Sequence, residues 1–249
     1  MAGEREVKLF SELEIWVHKH VIHIAVVLIV TGLAISASTL PSWIRWTVDW
    51  IPYLLGTPAA KAAALLGGSP IEQSYDAYSL GVQIARIIHR IAGVALIAFG
   101  IVWLIGELPR ARQWQIWPEG GLGEAIKNLM NYYLGKKPAR FGKYNIGQKL
   151  WIIAVVVGSA LLAITGIIMW FRTSFSLETE TLAHQLHVWL AWLGIAGLIV
   201  HVYLTIGIPE HRPAVRAMFR TGTVPEEFVK EHHPLYYEKL KKTATSGKK

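Results

Sequence analysis

Four stretches of this sequence, approximately 16–38, 82–106, 150–171 and 186–208, carry apolar side chains almost without interruption. A helix needs about 20 such residues to cross the hydrocarbon core of a bilayer, roughly 30 Å thick. Inside lipid every backbone N–H and C=O must be satisfied within the segment, which a helix achieves. The expected fold is therefore all-α, an integral membrane four-helix bundle in contact with the lipid bilayer. A chain that is 53% hydrophobic is too apolar for a water-soluble domain of this length. The first block is the weakest, because His18, Lys19, His20 and His23 fall in its opening turns. It follows a polar stretch, Met1 to Glu14, with both signs of charge, and no convincing cleavage site follows it. It therefore reads as a span and not as a removed signal.

The net charge of +8 is unevenly placed. Residues 107–149 hold eight Lys or Arg against three acids, and the tail after Gly207 holds nine against five. By contrast 39–81 holds only Arg45 and Lys61, and 172–185 only Arg172. The positive-inside rule then places the protein in the cytoplasmic membrane with both termini and the middle loop in the cytoplasm. These cations are scattered beside spans and form no concentrated patch, so no nucleic-acid partner is expected. The absence of cysteine excludes disulfides, iron–sulfur ligation and covalent haem attachment within the chain.

Pro41, Pro52, Pro58 and Pro70 are expected to break the chain after the first span. Among them Trp43, Trp46, Trp50 and Tyr53 recur at helical spacing. This pattern predicts a short amphipathic helix at the outer interface, where aromatic rings with polar tips settle. A helix packed on a partner protein is the alternative. A short helix is expected at Glu124–Leu134, and a polar connection from Arg172 to Glu180 leads to the fourth span. The tail from Glu210 is polar and helical in pieces, with its histidines (His211, His232 and His233) in solvent. One domain is expected over 1–242, with a disordered tail over 243–249 and no internal repeat.

Ionisable residues inside spans are costly and mark function. His187 and His201 share the fourth span, 14 residues apart. Fourteen residues are close to four turns, so both rings face nearly the same way, about 21 Å apart along the axis. One helix thus presents an imidazole near each side of the membrane, as two stacked b-type haems require. Each haem needs a second ligand from another helix. By depth, His89 at the start of the second span pairs with His187. His18 at the start of the first pairs with His201. Four ligands in two pairs fill both axial positions of each iron, which suits electron transfer. Only one of His18, His20 and His23 can face the haem, because they point in different directions around the helix. His20 and His23 therefore remain alternative ligands. Zinc also favours imidazole, but no carboxylate or thiolate stands near either pair. Arg86, Arg90 and His184 are candidate contacts for haem propionates, or the arginines snorkel to the interface. Gly32, Gly93, Gly166, Gly194 and Gly197 leave room for a flat macrocycle or for close helix packing.

Specific strings then add to this pattern. Gly142-Lys-Tyr-Asn-Ile-Gly-Gln-Lys149 leads into a span ending Thr165-Gly-Ile-Ile-Met-Trp170. Further strings are Ala85-Arg-Ile-Ile-His89, Ile199-Val-His-Val-Tyr203 and Lys230-Glu-His-His-Pro-Leu-Tyr-Tyr237. In these the chain resembles the cytochrome b (gamma) subunits of membrane-bound formate dehydrogenases, related to those of nickel–iron hydrogenases and thiosulfate or polysulfide reductases. The resemblance implies two non-covalent b haems on His18, His89, His187 and His201. It also implies a quinone site (menaquinone or ubiquinone) at Asn145, Gly147 and Gln148 beside His201. It implies no catalytic residue for the primary donor, which a separate catalytic subunit oxidises. An iron–sulfur subunit on the outer face would deliver the electrons, within a larger assembly. Two features depart from the family pattern. Lys19 stands where tryptophan usually follows the first-span histidine, and the outer loop over 39–81 is longer. A hydrogenase or sulfur-compound reductase cytochrome is the nearest alternative. A histidine-relay transporter, which would be colourless, is the remote one.

Overall fold

Ser11 opens the first span. Its hydroxyl accepts the Glu14 N–H at 3.1 Å while the Glu14 carboxylate accepts the Ser11 N–H at 2.6 Å. This capping box starts the helix ahead of the apolar block. The computed structural model describes residues 5–65, 74–109, 116, 120–135 and 140–246. The expected break at Pro70 and the loop cations Arg110, Arg112, Lys136 and Lys137 lie outside them.

In chain order the elements are β1 (Glu6–Lys8), α1 (Glu12–Ser36), α2 (Ser42–Arg45), α3 (Trp50–Leu65) and α4 (Ser74–Glu107). There follow α5 (Leu122–Tyr133), α6 (Ile146–Trp170), α7 (Leu177–Ile206) and α8 (Arg212–Arg216). The last are β2 (Thr223–Pro225), α9 (Glu226–His232) and α10 (Pro234–Ser246). α1, α4, α6 and α7 are long and apolar enough to cross a membrane. Each begins before its apolar block, and at α1, α6 and α7 polar capping residues add turns that a hydropathy pattern omits. Ser176 caps α7 by accepting the Thr179 N–H at 3.3 Å. Residues 177–180, expected as a connection, are therefore helical.

By internal contacts the chain divides into two units, 19–102 in one and 1–18 with 103–249 in the other. In the first unit Pro52 and Pro58 lie inside α3 and do not break it. Pro52 sits in the first turn, where a missing N–H leaves no bond unmade. Trp43 and Trp46 stay 74% and 73% exposed at the short α2, while Trp50 and Tyr53, expected on the same helix, lie in α3. Ile51, Ala34 and Ala85 form the buried core. At Gly56 and Gly81 the backbones of α3 and α4 come so close that a Cβ on either would overlap the other helix's backbone. Backbone cannot give way as a side-chain tip can, so Gly81→Val is expected to destabilise by about 3 kcal/mol. Gly100→Ala on the same helix meets nothing within 4 Å and serves as the control. Thermal unfolding of both variants in detergent checks this.

In the second unit β1 pairs antiparallel with β2, Val7 opposite Val224. Leu9, Phe10, Ala217, Val224, Phe228 and Val229 bury themselves there as one apolar cluster. Leu9 and Phe10 N–H both reach the Gly222 carbonyl, at 2.8 and 3.0 Å. The tail is helical in pieces as expected, yet it also carries a strand and a core that its polar composition conceals. Residues 243–246, expected to be disordered, continue α10.

Candidate functional site

α4 and α7 each set a histidine against a Thr-Gly pair on another helix. In the unit 19–102, Thr31 Oγ1 lies 2.9 Å from His89 Nδ1. In the other unit, Thr165 Oγ1 lies 2.9 Å from His187 Nδ1. A hydroxyl has one hydrogen, and in both cases a carbonyl one turn back takes it: Val27 O at 2.6 Å and Leu161 O at 2.8 Å. The oxygen must then accept from the imidazole Nδ1–H, which puts the ring lone pair on Nε2. Neutral imidazole with a bonded Nδ1–H is the form that ligates a metal. A Cβ on Gly32 would lie 3.5 Å from His89 Cε1, and one on Gly166 the same distance from His187 Cε1. The chain therefore holds a local structural repeat where its sequence suggested none. The signal was present as two Thr-Gly pairs, but only the fold shows that each meets a histidine.

α7 is unbroken from His187 to His201, so the 14-residue spacing corresponds to about 21 Å along one helix. His18 and His201 belong to the same unit. The His18 ring meets Phe219 edge-on at 5.5 Å. Its Nδ1 is buried and has no hydrogen-bond partner among the described residues. The His201 ring stacks on Trp151 at 5.1 Å and 16°. The other two first-span histidines lie in the unit 19–102. His20 stacks on Phe99 at 5.3 Å, and His23 Nδ1 donates to the Lys19 carbonyl at 2.7 Å.

Asn145 and Gln148 form a reciprocal capping box at the start of α6. Asn145 Oδ1 accepts the Gln148 N–H and Gln148 Oε1 accepts the Asn145 N–H, each at 2.9 Å. The box engages both amide oxygens as acceptors and leaves the –NH2 groups as donors. Gly147 lies between them, and Trp151, which stacks on His201, follows three residues after Gln148. Arg86, Arg90 and His184 are all exposed.

Sequence reasoning missed a buried ionic group beside this motif. Lys149, counted there as a loop cation, is 1% exposed, and Glu107 at the end of α4 is 6% exposed. Neither is without a partner, as buried charge requires. Lys143 reaches Glu14 at 3.8 Å. Burial, with Glu14 and Glu107 nearby, pushes the Tyr144 phenol well above its usual range. The tail histidines also differ from expectation. His233 is buried and bonded to the Gly142 carbonyl at 3.0 Å, and His232 stacks on Phe228 at 4.4 Å. His211 Nδ1 donates to the Leu204 carbonyl at 2.6 Å.

Comparison with known proteins gives this arrangement a context. The formate dehydrogenase cytochrome b556(fdo) subunit of Escherichia coli (strain K12) is 27% identical over 168 residues, 65% of this chain and 74% of that one. The formate dehydrogenase cytochrome b556 subunit of Haemophilus influenzae is 30% identical over 162 residues, 62% of this chain and 63% of that one. The nitrate-inducible cytochrome b556(Fdn) subunit of Escherichia coli (strain K12) is 26% identical over 165 residues, covering 64% and 72%. The family model of prokaryotic cytochrome b561 matches residues 9–221. A match that begins before the first span and ends in the turns after the fourth means that the chain belongs to this family, as a multi-pass membrane cytochrome that carries haem b and transfers electrons.

Proposed function

We propose that the chain is the membrane anchor and quinone-reactive subunit of a formate dehydrogenase complex. Electrons arrive from an iron–sulfur subunit on the outer face and leave to menaquinone or ubiquinone at the cytoplasmic side, by way of two b haems. The catalytic subunit that oxidises the donor is a separate chain, and the complex assembles into a higher oligomer. The observation that carries this reading is the pair His187 and His201, 14 residues apart on one unbroken membrane helix, in a chain of the cytochrome b561 family.

His89 and His187 would hold one haem, with Nε2 left for the iron because each Nδ1 faces a threonine hydroxyl. His18 and His201 hold the other. His18 is favoured over His20 and His23 because its buried Nδ1, without a partner among the described residues, suits a site completed by a bound group, whereas the His20 ring stacks on Phe99 and His23 bonds the Lys19 carbonyl. A b haem with two imidazole ligands supplies reversible one-electron transfer and keeps no coordination position open. Beside His201, the Asn145 and Gln148 amide groups donate to a quinone carbonyl, and Gly147 allows close approach of backbone. Arg86, Arg90 and His184 are exposed and reach propionates only at the rim of the site. The positive-inside bias places this motif and both termini in the cytoplasm, where water supplies the protons that quinone reduction consumes.

The test is a dithionite-reduced minus oxidised spectrum of the chain purified in detergent, with haem extracted and counted. Two non-covalent b haems per chain are expected. One would mean that a ligand pair is misassigned, and none in folded protein would move the transporter alternative to first place.

A further inference from the structure

The Thr-Gly/His arrangement occurs twice with the same hydroxyl-to-Nδ1 distance, and at His89 the Leu28 carbonyl is a second acceptor. Thr31 and Thr165 each give their hydrogen to a carbonyl of their own helix and face a histidine Nδ1 at 2.9 Å. A threonine bonded to its preceding turn is ordinary in a membrane helix and needs no histidine. Thr205 shows this: its hydroxyl donates to the His201 carbonyl at 2.7 Å within its own helix. What Thr31 and Thr165 add is an acceptor on a different helix from the imidazole they meet. That acceptor is already polarised by its own donation. The arrangement selects one ring tautomer and fixes the ring plane, and it draws the Nδ1 proton outward.

We propose that Thr31 and Thr165 are positioning residues that act through His89 and His187, setting ligand tautomer and basicity for one haem in two matching halves. The inference rests on the proposed ligation by His89 and His187. An N–H that donates to a strong acceptor makes the ring a better σ-donor, which favours the ferric state. His18 differs: its Nδ1 has no partner among the described residues. The two haems are therefore tuned differently by the same chain. The ligands with threonine acceptors hold the lower-potential site relative to the same ligands without them.

The experiment uses Thr31→Val, Thr165→Val and the double variant, with Thr→Ser at each site, all in the full chain with both haems counted. Val keeps the threonine shape and removes the acceptor, and Ser keeps the acceptor. Redox titration of the α-band and low-temperature EPR of the low-spin ferric signals give the readout. Each Val variant is expected to raise the midpoint of one haem and leave the other unmoved, with the double shifting it further and Ser restoring the parent value. Loss of that haem on dilution about tenfold more readily is the second expected readout, by the usual effect of removing a ligand's outer partner. Unshifted potentials and EPR signals in Val variants that retain both haems overturn the proposal. Should Val fail to accumulate, Thr→Ala against Thr→Ser gives the same contrast. His89→Ala and His187→Ala separate the two levels. If these retain both haems, the ligand assignment itself fails. If they lose one haem while the threonine variants are silent, only this inference fails.

Discussion

Replacing His201 with leucine is expected to reduce the haem count from two to one and to lower quinone reduction by at least about 100-fold. In the assembled complex, donor oxidation with an artificial dye is expected to persist, since the dye accepts electrons before this subunit. A 100-fold loss corresponds to about 2.7 kcal/mol of barrier, a lower bound for removing an iron ligand. Leucine is apolar and tolerated in a membrane helix, so the remaining haem serves as the internal control for folding. His18→Leu is expected to match it, whereas His20→Gln and His23→Gln are expected to keep both haems. Their rings are occupied by Phe99 and by the Lys19 carbonyl. Retained quinone reduction in His201→Leu would remove the proposed role of this end of the protein.

Acid is expected to open the packed tail before it affects the spans. Burial depresses His233 from 6.5 to about 4, and His232, His211 and Lys143 add repulsion to its protonated form. The folded pKa lies below the unfolded one, so between the two values the unfolded chain binds more protons. Stability is then complete above about 6.5 and falls as pH drops toward about 4. A shift of this size corresponds to about 3 kcal/mol. Hydrogen exchange in β1, β2 and α9 is expected to accelerate across that window. His233→Asn is expected to lower stability at neutral pH but to flatten the pH dependence. An unchanged slope in this variant would show that another group titrates.

The sequence made the membrane helices legible, because lipid imposes one length and one composition on any span. Its histidines were also legible, since a charged or ionisable ring inside a span stands out against apolar neighbours. What escaped was held by short polar contacts and by long-range pairing. Ser11, Ser176 and Asn145 lengthen helices through hydrogen bonds that hydropathy does not register. Pro52 and Pro58 looked like breaks because their tolerance depends on position within a helix. Lys149 looked like a surface cation because nothing local shows that the chain folds over it. The two threonines drew no reading of their own, since their partners lie 58 and 22 residues away.

The pairing of β1 with β2 has a consequence for biosynthesis. Val7 must wait for Val224, which leaves the ribosome only after all four membrane helices have been made. At about 5–20 residues per second, the early strand stays single for ten seconds or more, an open edge beside its own hydrophobic neighbours Leu9 and Phe10. Glu6 and Lys8 alternate with Val7 along that edge, and charges so placed discourage pairing with a stranger. Closure of this small sheet is thus a completion signal. A chain stalled or clipped before β2 keeps its front end exposed, and quality-control proteases have a physical mark by which to tell a finished subunit from a partial one.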